Sequence, residues 1–311
     1  MTLTELKYIV AVARERHFGR AAEACFVSQP TLSVAIKKLE EELDVKIFER
    51  GATEVSATPL GEQIVRQAQQ VIEQAAAIKE IAKRGQDPLA GPLRVGVIYT
   101  IGPYLLPDLV RQAIERVPQM PLVLQEHFTA RLLEMLRTGE LDCAILAEPF
   151  PDTGLAMAPL YDEPFQAAVP KTHPLARRKQ ISAEALKQET MLLLGTGHCF
   201  RDHVLEVCPE YARFAGPAGD SSEGIRRSFE GSSLETIKYM VASGMGVTVV
   251  PQLSVPAEPQ PHIHYLKFSA PVPTRRVVLA WRRTFPRYEA IAALRNCIYA
   301  CALPGVKRLT A

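Results

Sequence analysis

Cys199 and Cys208 lie in the run Gly195-Thr196-Gly197-His198-Cys199-Phe200-Arg201-Asp202-His203-Val204-Leu205-Glu206-Val207-Cys208. His198 and Arg201 flank the first thiol, and cationic neighbours populate the nucleophilic thiolate. Cys208 is the obvious partner for whatever Cys199 becomes. Phe200, Val204 and Val207 recur at helical spacing with no Gly or Pro between them, which predicts a short helix starting near Cys199. A helix rises about 1.5 Å per residue, so it would hold the two α-carbons about 13 Å apart. A disulfide needs them within about 7 Å. Bonding the pair therefore requires the helix to unwind, and oxidation becomes a change of shape. Zinc held by His198, Cys199, His203 and Cys208 is the competing chemistry. Adjacent His198 and Cys199 cannot easily face one ion, so no metal and no cofactor is expected. His203 is read as facing solvent, without a role. Cys25, Cys143, Cys297 and Cys301 stand in apolar contexts and read as small buried hydrophobes.

The rest of the chain must position these thiols. Its 311 residues suffice for two or three domains, and 47% hydrophobic with 23% charged residues is the profile of a globular protein. A net charge of +2 implies neither nucleic acid nor membrane by itself. The start, Met1-Thr2-Leu3-Thr4-Glu5, has no signal-like segment, and no apolar run approaches membrane length. A cytoplasmic protein with no membrane contact is expected, with reduced cysteines available for catalysis, metal binding or sensing.

The first sixty residues read as helices followed by a wing. Thr2 and Glu5 have capping-box spacing, and Leu3, Leu6, Val10 and Ala13 share a face. Ala21 and Ala22 allow a second helix to lie close. Ser28 can cap a third whose first turn holds Pro30 and whose buried face is Leu32, Ile36, Leu39 and Leu43. Its outward Gln29, Thr31, Ser33 and Lys37 suit base edges and phosphates, a helix-turn-helix pattern. The plainer alternative is a three-helix domain with a tight corner. Residues 1–60 carry eight Lys/Arg against nine Asp/Glu, so DNA binding would depend on where the cations sit. Gly51, Thr53, Val55 and Thr58 predict a two-stranded wing. A long helix follows from about Pro59 to Arg84, with Ile64, Ala68, Val71, Ala75, Ile78 and Ala82 forming a heptad seam. That seam predicts self-association, and packing on the chain's own body is the alternative. Gly85 to Pro92 reads as a hinge.

Beyond the hinge, strands alternate with helices, the pattern of an α/β fold with a mainly parallel sheet. Leu93–Ile98, Leu122–Glu126, Leu141–Ala147, Phe165–Pro170, Met191–Leu194, Gly246–Pro251 and Arg275–Trp281 read as strands. Two lobes joined by crossover strands would place a small-molecule site between them, at the carboxyl ends of strands. Thr100, Thr129 and the segment from Gly197 to Cys199 fall there.

Ser28-Gln29-Pro30-Thr31-Leu32-Ser33, Leu39-Glu40-Glu41-Glu42-Leu43, Phe48-Glu49-Arg50 and Thr58-Pro59-Leu60-Gly61 make the chain resemble the LysR-type transcriptional regulators along nearly its whole length. The cysteine run, followed by Ser233-Leu234-Glu235-Thr236-Ile237 and Gly244-Met245-Gly246-Val247, resembles the peroxide-sensing members of that family. The resemblance implies a winged helix-turn-helix over 1–58, a linker and dimerisation helix with hinge over 59–91, and a two-lobed, periplasmic-binding-protein-like regulatory domain over 92–311. Lobe I would take about 92–163 and 269–301, and lobe II about 164–268. It implies a homotetramer on promoter DNA, contacted by Gln29, Pro30, Thr31, Ser33, Lys37 and Arg50, with RNA polymerase as a further partner. It also implies activation of antioxidant genes by hydrogen peroxide without enzymatic turnover. Cys199 would be the peroxidatic thiol and Cys208 the resolving one, with Thr100, Thr129, His198, Arg201 and Asp202 lining the peroxide pocket. Val34 and Ala35 depart from the polar residues common in the family's recognition helix. Two other functions fit parts of the chain. A small organic co-inducer in the cleft would need no cysteine pair. A thiol peroxidase would leave the N-terminal helices and the seam idle.

Overall fold

The structure is a computed structural model and describes residues 1–50, 55–83, 89–151, 154–214, 228–231 and 233–309. α1 (Leu3–Glu15) starts with the capping box that its spacing predicts: the Glu5 amide donates to Thr2 Oγ1 at 3.3 Å, and the Thr2 amide donates to Glu5 Oε2 at 2.7 Å. α2 (Phe18–Ala24) buries Ala21 and Ala22. α3 (Gln29–Leu43) is capped by Ser28, whose hydroxyl accepts from the Thr31 amide, and it buries Leu32, Ile36 and Leu39. Leu43, which periodicity assigns to the same face, is exposed, because the helix ends there with Asp44 in the left-handed region. β1 (Phe48–Arg50) and β2 (Val55–Ala57) pair antiparallel as the wing. The Arg50 side chain and residues 51–54 lie outside the described residues.

α4 (Pro59–Lys83) presses its first turn onto the wing's base. A β-carbon on Gly61 would stand 2.0 Å from the Ile47 carbonyl oxygen, so only glycine fits there. The heptad seam divides in two. Ala68 is buried in the core of α1 to α3, with Ile64 packed against it, so this part of the seam serves the chain's own body. Ala75 is half-buried, while Val71 and Ile78 are exposed; the Ala82 side chain lies outside the described residues.

Nine of the remaining strands build one sheet, in which β3 (Leu93–Ile98), β4 (Leu122–His127), β5 (Cys143–Glu148), β6 (Ala156–Pro170), β7 (Gln180–Ile181), β11 (Ile263–Phe268) and β12 (Thr274–Trp281) run in the order β4-β3-β5-β12-β6-β11-β7. β10 (Thr248–Pro251) and β13 (Lys307–Arg308) also pair with β6. β8 (Met191–Leu194) and β9 (Ser228–Gly231) pair in parallel as a second small sheet. The larger sheet is mixed, not mainly parallel. β12 is antiparallel to both β5 and β6, and β10 and β11 are antiparallel to β6. β6 is the reason. Its first part pairs with β12 from Ala156 to Pro164, and its last part with β10 and β11 from Phe165 onward, so one strand crosses between two layers. Two apolar cores result, one around Val95, Leu109, Ile145 and Leu294, the other around Phe165, Leu193, Ile237 and Val249. Helices cover them: α5 (Gly102–Arg116), α6 (Thr129–Thr138) and α9 (Tyr288–Ala300) on the first, α7 (Cys199–Val207) and α8 (Leu234–Ala242) on the second.

A buried polar hub joins α4 to this body. Glu73 forms an ion pair with Arg282 and accepts from Thr284 Oγ1 and, at 2.8 Å, from Gln69 Nε2. Arg282 also donates to the carbonyls of Leu136, in the last turn of α6, and of Leu141. Among the described residues no helix is long and apolar enough to cross a membrane.

Candidate functional site at the interlobe thiol

β8 is apolar and fully buried, so the chain leaves the second core at Leu194 and must turn at once. Gly197 makes that turn at φ +99, where a β-carbon would be strained and would sit 3.3 Å from the Phe128 ring. His198 follows as the residue before α7. Its ring stands edge-to-face on Phe128 with centroids 4.8 Å apart, and Tyr99 closes the group at 5.3 Å from Phe128. Cys199, half-buried, opens the helix.

The facing wall comes from the other lobe. β3 delivers Tyr99 and Thr100, and β4 delivers Phe128 and Thr129, both at carboxyl ends of parallel strands. Thr100, Phe128, Thr129, Gly197, His198 and Cys199 line one small pocket with room for about one water-sized molecule. Clefts that bind organic ligands hold roughly 300–1,000 Å³. This pocket is far smaller than such a cleft.

The two threonines differ in a way that bears on chemistry. Thr100 Oγ1 accepts from Arg275 Nη1 at 2.8 Å, and its carbonyl accepts from Nη2 at 3.0 Å. Its own hydroxyl hydrogen therefore remains to be donated. Arg275 is held by Glu163, 2.8 Å from Nε, with both side chains almost fully buried. The second Glu163 oxygen accepts from the Leu253 amide at 2.8 Å, and the Arg275 guanidinium lies over the Phe200 ring at 5.2 Å. Thr129 Oγ1 is buried and has no hydrogen-bond partner among the described residues. A buried hydroxyl without a partner is costly, and this one belongs to a residue lining the pocket.

Four of the expected pocket residues thus come together, Thr100, Thr129, His198 and Cys199. Arg201 and Asp202 fall outside the lining; Arg201, two residues along α7, is turned by about 200° to the other side of the helix. Arg201 is buried and donates to the Leu194 carbonyl at 3.0 Å, tying α7 to β8. Asp202 is exposed. His203, read from sequence as solvent-facing, is buried instead; its Nε2 donates to the Glu148 carbonyl at 2.7 Å across the lobes, and burial pulls its pKa down. Cys208, at the far end of α7, is fully buried, and that burial pushes its thiol up to about 12. All six cysteines are free. Among the described residues no group of three or more His, Cys, Asp or Glu could hold a metal. Arg275 and Glu163 went unnoticed in the sequence. Each is one of two adjacent charges in its strand, Asp162-Glu163 and Arg275-Arg276, and only burial separates the inward member from the outward one.

A helix-turn-helix head, a linker helix and a two-lobed sensory body with a cleft define a class. Residues 3–62 match the model of the bacterial regulatory helix-turn-helix protein, lysR family, and residues 86–301 match that of the LysR substrate binding domain. The chain belongs to the LysR family. It is 40% identical over 296 residues to the hydrogen peroxide-inducible genes activator of Pectobacterium carotovorum, covering 94% of this chain and 95% of that one. Among solved structures it is similar to a full-length OxyR variant from Pseudomonas aeruginosa, with 50% identity, TM-score 0.82 and coverage of 100% and 98%. A hydrogen peroxide-bound OxyR mutant from Corynebacterium glutamicum matches at 32% identity and TM-score 0.63, covering 96% and 92%.

Proposed function

We propose that this chain is a peroxide-responsive transcriptional regulator in which Cys199 is the sensing thiol. The observation that carries the reading is the pocket itself: a free thiol faces two threonine hydroxyls, one with a hydrogen to donate and one without a partner among the described residues, in a space that admits only a very small molecule. The names of the relatives, activators inducible by hydrogen peroxide, and a related structure bound to it support the same reading. The Cys199 thiolate attacks one peroxide oxygen, the O–O bond breaks, and the Thr100 and Thr129 hydroxyls hydrogen-bond the departing hydroxide, which takes up a proton as water. Cys199 becomes a sulfenic acid, and condensation with Cys208 forms the disulfide and releases a second water.

About 13 Å of helix separates the two α-carbons, so α7 must unwind and draw Cys208 out of the core. The bonds from Arg201 to Leu194 and from His203 to Glu148 hold α7 in its reduced shape until then. In this reading residues 1–58 bind promoter DNA through Gln29, Pro30, Thr31, Ser33, Lys37 and Arg50. Residues 59–91 pair copies through the exposed Val71 and Ile78, and residues 92–311 sense. The assembly is a cytoplasmic homotetramer that works with RNA polymerase. Cys199→Ser should leave DNA binding intact and abolish the peroxide-dependent change in footprint, and mass mapping after stoichiometric peroxide should find a Cys199–Cys208 linkage only in the wild type. A Ser variant that still switches would overturn the reading.

A further inference from the structure

The helix-turn-helix carries an apolar stripe that its own core does not use. α3 buries Leu32, Ile36 and Leu39. At about 100° per residue, Val34 points directly away from that face, with Pro30 one turn before it and Lys37 and Lys38 one turn after. Pro30 is exposed and Val34 is 67% exposed. In the turn that leads into α3, Phe26 is 95% exposed. Phe26 also has φ 56, in the left-handed region that residues with a β-carbon enter at a cost. Its amide donates to the Glu23 carbonyl and that of Val27 to the Ala22 carbonyl, both at 3.0 Å. This is a helix ending whose left-handed position ordinarily takes Gly or Asn. A phenylalanine there carries backbone strain and an aromatic ring in water, and nothing in the domain's core gains from either.

We propose that Phe26 and Val34 read thymine methyl groups in the major groove. The inference rests on the DNA-binding role of the helix-turn-helix. The thymine C5-methyl is the apolar feature of the major-groove floor, whereas guanine and adenine are read by paired hydrogen bonds from Arg, Lys, Asn or Gln. Directly opposite the buried face, the first two turns of α3 offer only Pro30 and Val34, with Gln29 to one side of them. Gln29, Thr31, Lys37 and Lys38 border the stripe with exposed polar and cationic side chains suited to base edges and phosphates, which makes DNA the occupant. Specificity at these positions therefore comes from methyl burial in place of hydrogen bonding.

The test uses the full-length protein to select duplexes from a random pool, then replaces each thymine of the selected site by deoxyuridine, which removes only the methyl. At one or two positions per half-site, the uracil duplex should bind about fourfold more weakly, the worth of one buried carbon. Val34→Ser should bind the two duplexes equally at one such position, and Phe26→Asn at another. Both positions are exposed, and Asn tolerates the left-handed conformation, so thermal melts should show both variants folded. Equal binding of thymine and uracil duplexes by the wild type overturns the proposal. So does a methyl preference that persists unchanged in both variants, since other residues would then read it. Failure to select any duplex would overturn the DNA-binding role itself and the proposal with it.

Discussion

Replacing Thr129 by Val exchanges a hydroxyl for a methyl at nearly constant shape, and the structure assigns this change an unusual pair of consequences. Thr129 Oγ1 is buried with no hydrogen-bond partner among the described residues, a condition that costs about 1–3 kcal/mol. The substitution removes that cost, so stability should hold or rise by up to about that amount. Thr100→Val is the matched control. Thr100 Oγ1 accepts from buried Arg275, and its loss leaves a guanidinium N–H unmet, which costs about 1–3 kcal/mol in the opposite direction. In a body of this size each kcal/mol moves the melting temperature by about 2–4 °C. The two variants should therefore melt on opposite sides of the wild type. Their kinetics should agree instead. In the proposed reaction each hydroxyl bonds the oxygen that gains charge as the O–O bond breaks, and losing one such donor slows a reaction by about 10²–10³. Rapid-quench mass spectrometry of Cys199 oxidation supplies the rate and calorimetry the melt. Oxidation of Thr129→Val at the wild-type rate would refute the assignment. A melt as low as that of Thr100→Val would show that the hydroxyl is already bonded within the fold.

Glu73→Ala leaves Arg282 buried without its carboxylate, so it should cost about 3–5 kcal/mol, read in thermal unfolding. Glu73→Leu combined with Arg282→Met should recover most of that. The footprint of this double variant should still not respond to peroxide, because the hub is the buried polar link from α4 to the end of α6, the helix that begins at Thr129. A normal response would show that the hub takes no part in coupling the pocket to α4. The Cys208 thiol gives a pH dependence whose sign is fixed by its burial. The fold raises its pKa from 9.0 to about 12, so the folded state favours the protonated form. Stability from this group is fully present at neutral pH and declines as pH rises from about 9 toward 12. Urea unfolding of wild type and Cys208→Ala should show a shallower alkaline decline in the variant, and identical slopes would contradict the burial.

Most local structure could be read from residue order because its causes are local. The capping box at Thr2 and Glu5, the Ser28 cap with Pro30, the apolar run of β8 and the helix between Cys199 and Cys208 each depend on residues within about four positions of one another. The mixed sheet was harder, since Ala156 to Pro164 alternates too weakly to announce a strand. Three prolines, Pro256, Pro259 and Pro261, hid the strand that begins at Ile263. The heptad seam was legible as a pattern, but its partner was not: periodicity states that Ala68 will be buried and not whether the neighbour is the chain's own α1 to α3 or a second copy.

The thiol pair, the helix that separates it and the placing of Thr100, Thr129 and Cys199 after strands were determined by the sequence alone, through the rise and period of regular backbone. What surrounds the thiol was decided only in three dimensions. Arg275 meets Glu163 across 112 positions and Thr100 across 175, and His203 reaches Glu148 from the other lobe. No propensity encodes such pairs. They exist because β6 and β12 run side by side between the lobes, and because a buried charge or imidazole must find its partner wherever the topology brings one within about 3 Å. The same folding turned Arg201 toward Leu194 and left one threonine hydroxyl in the pocket without a partner among the described residues.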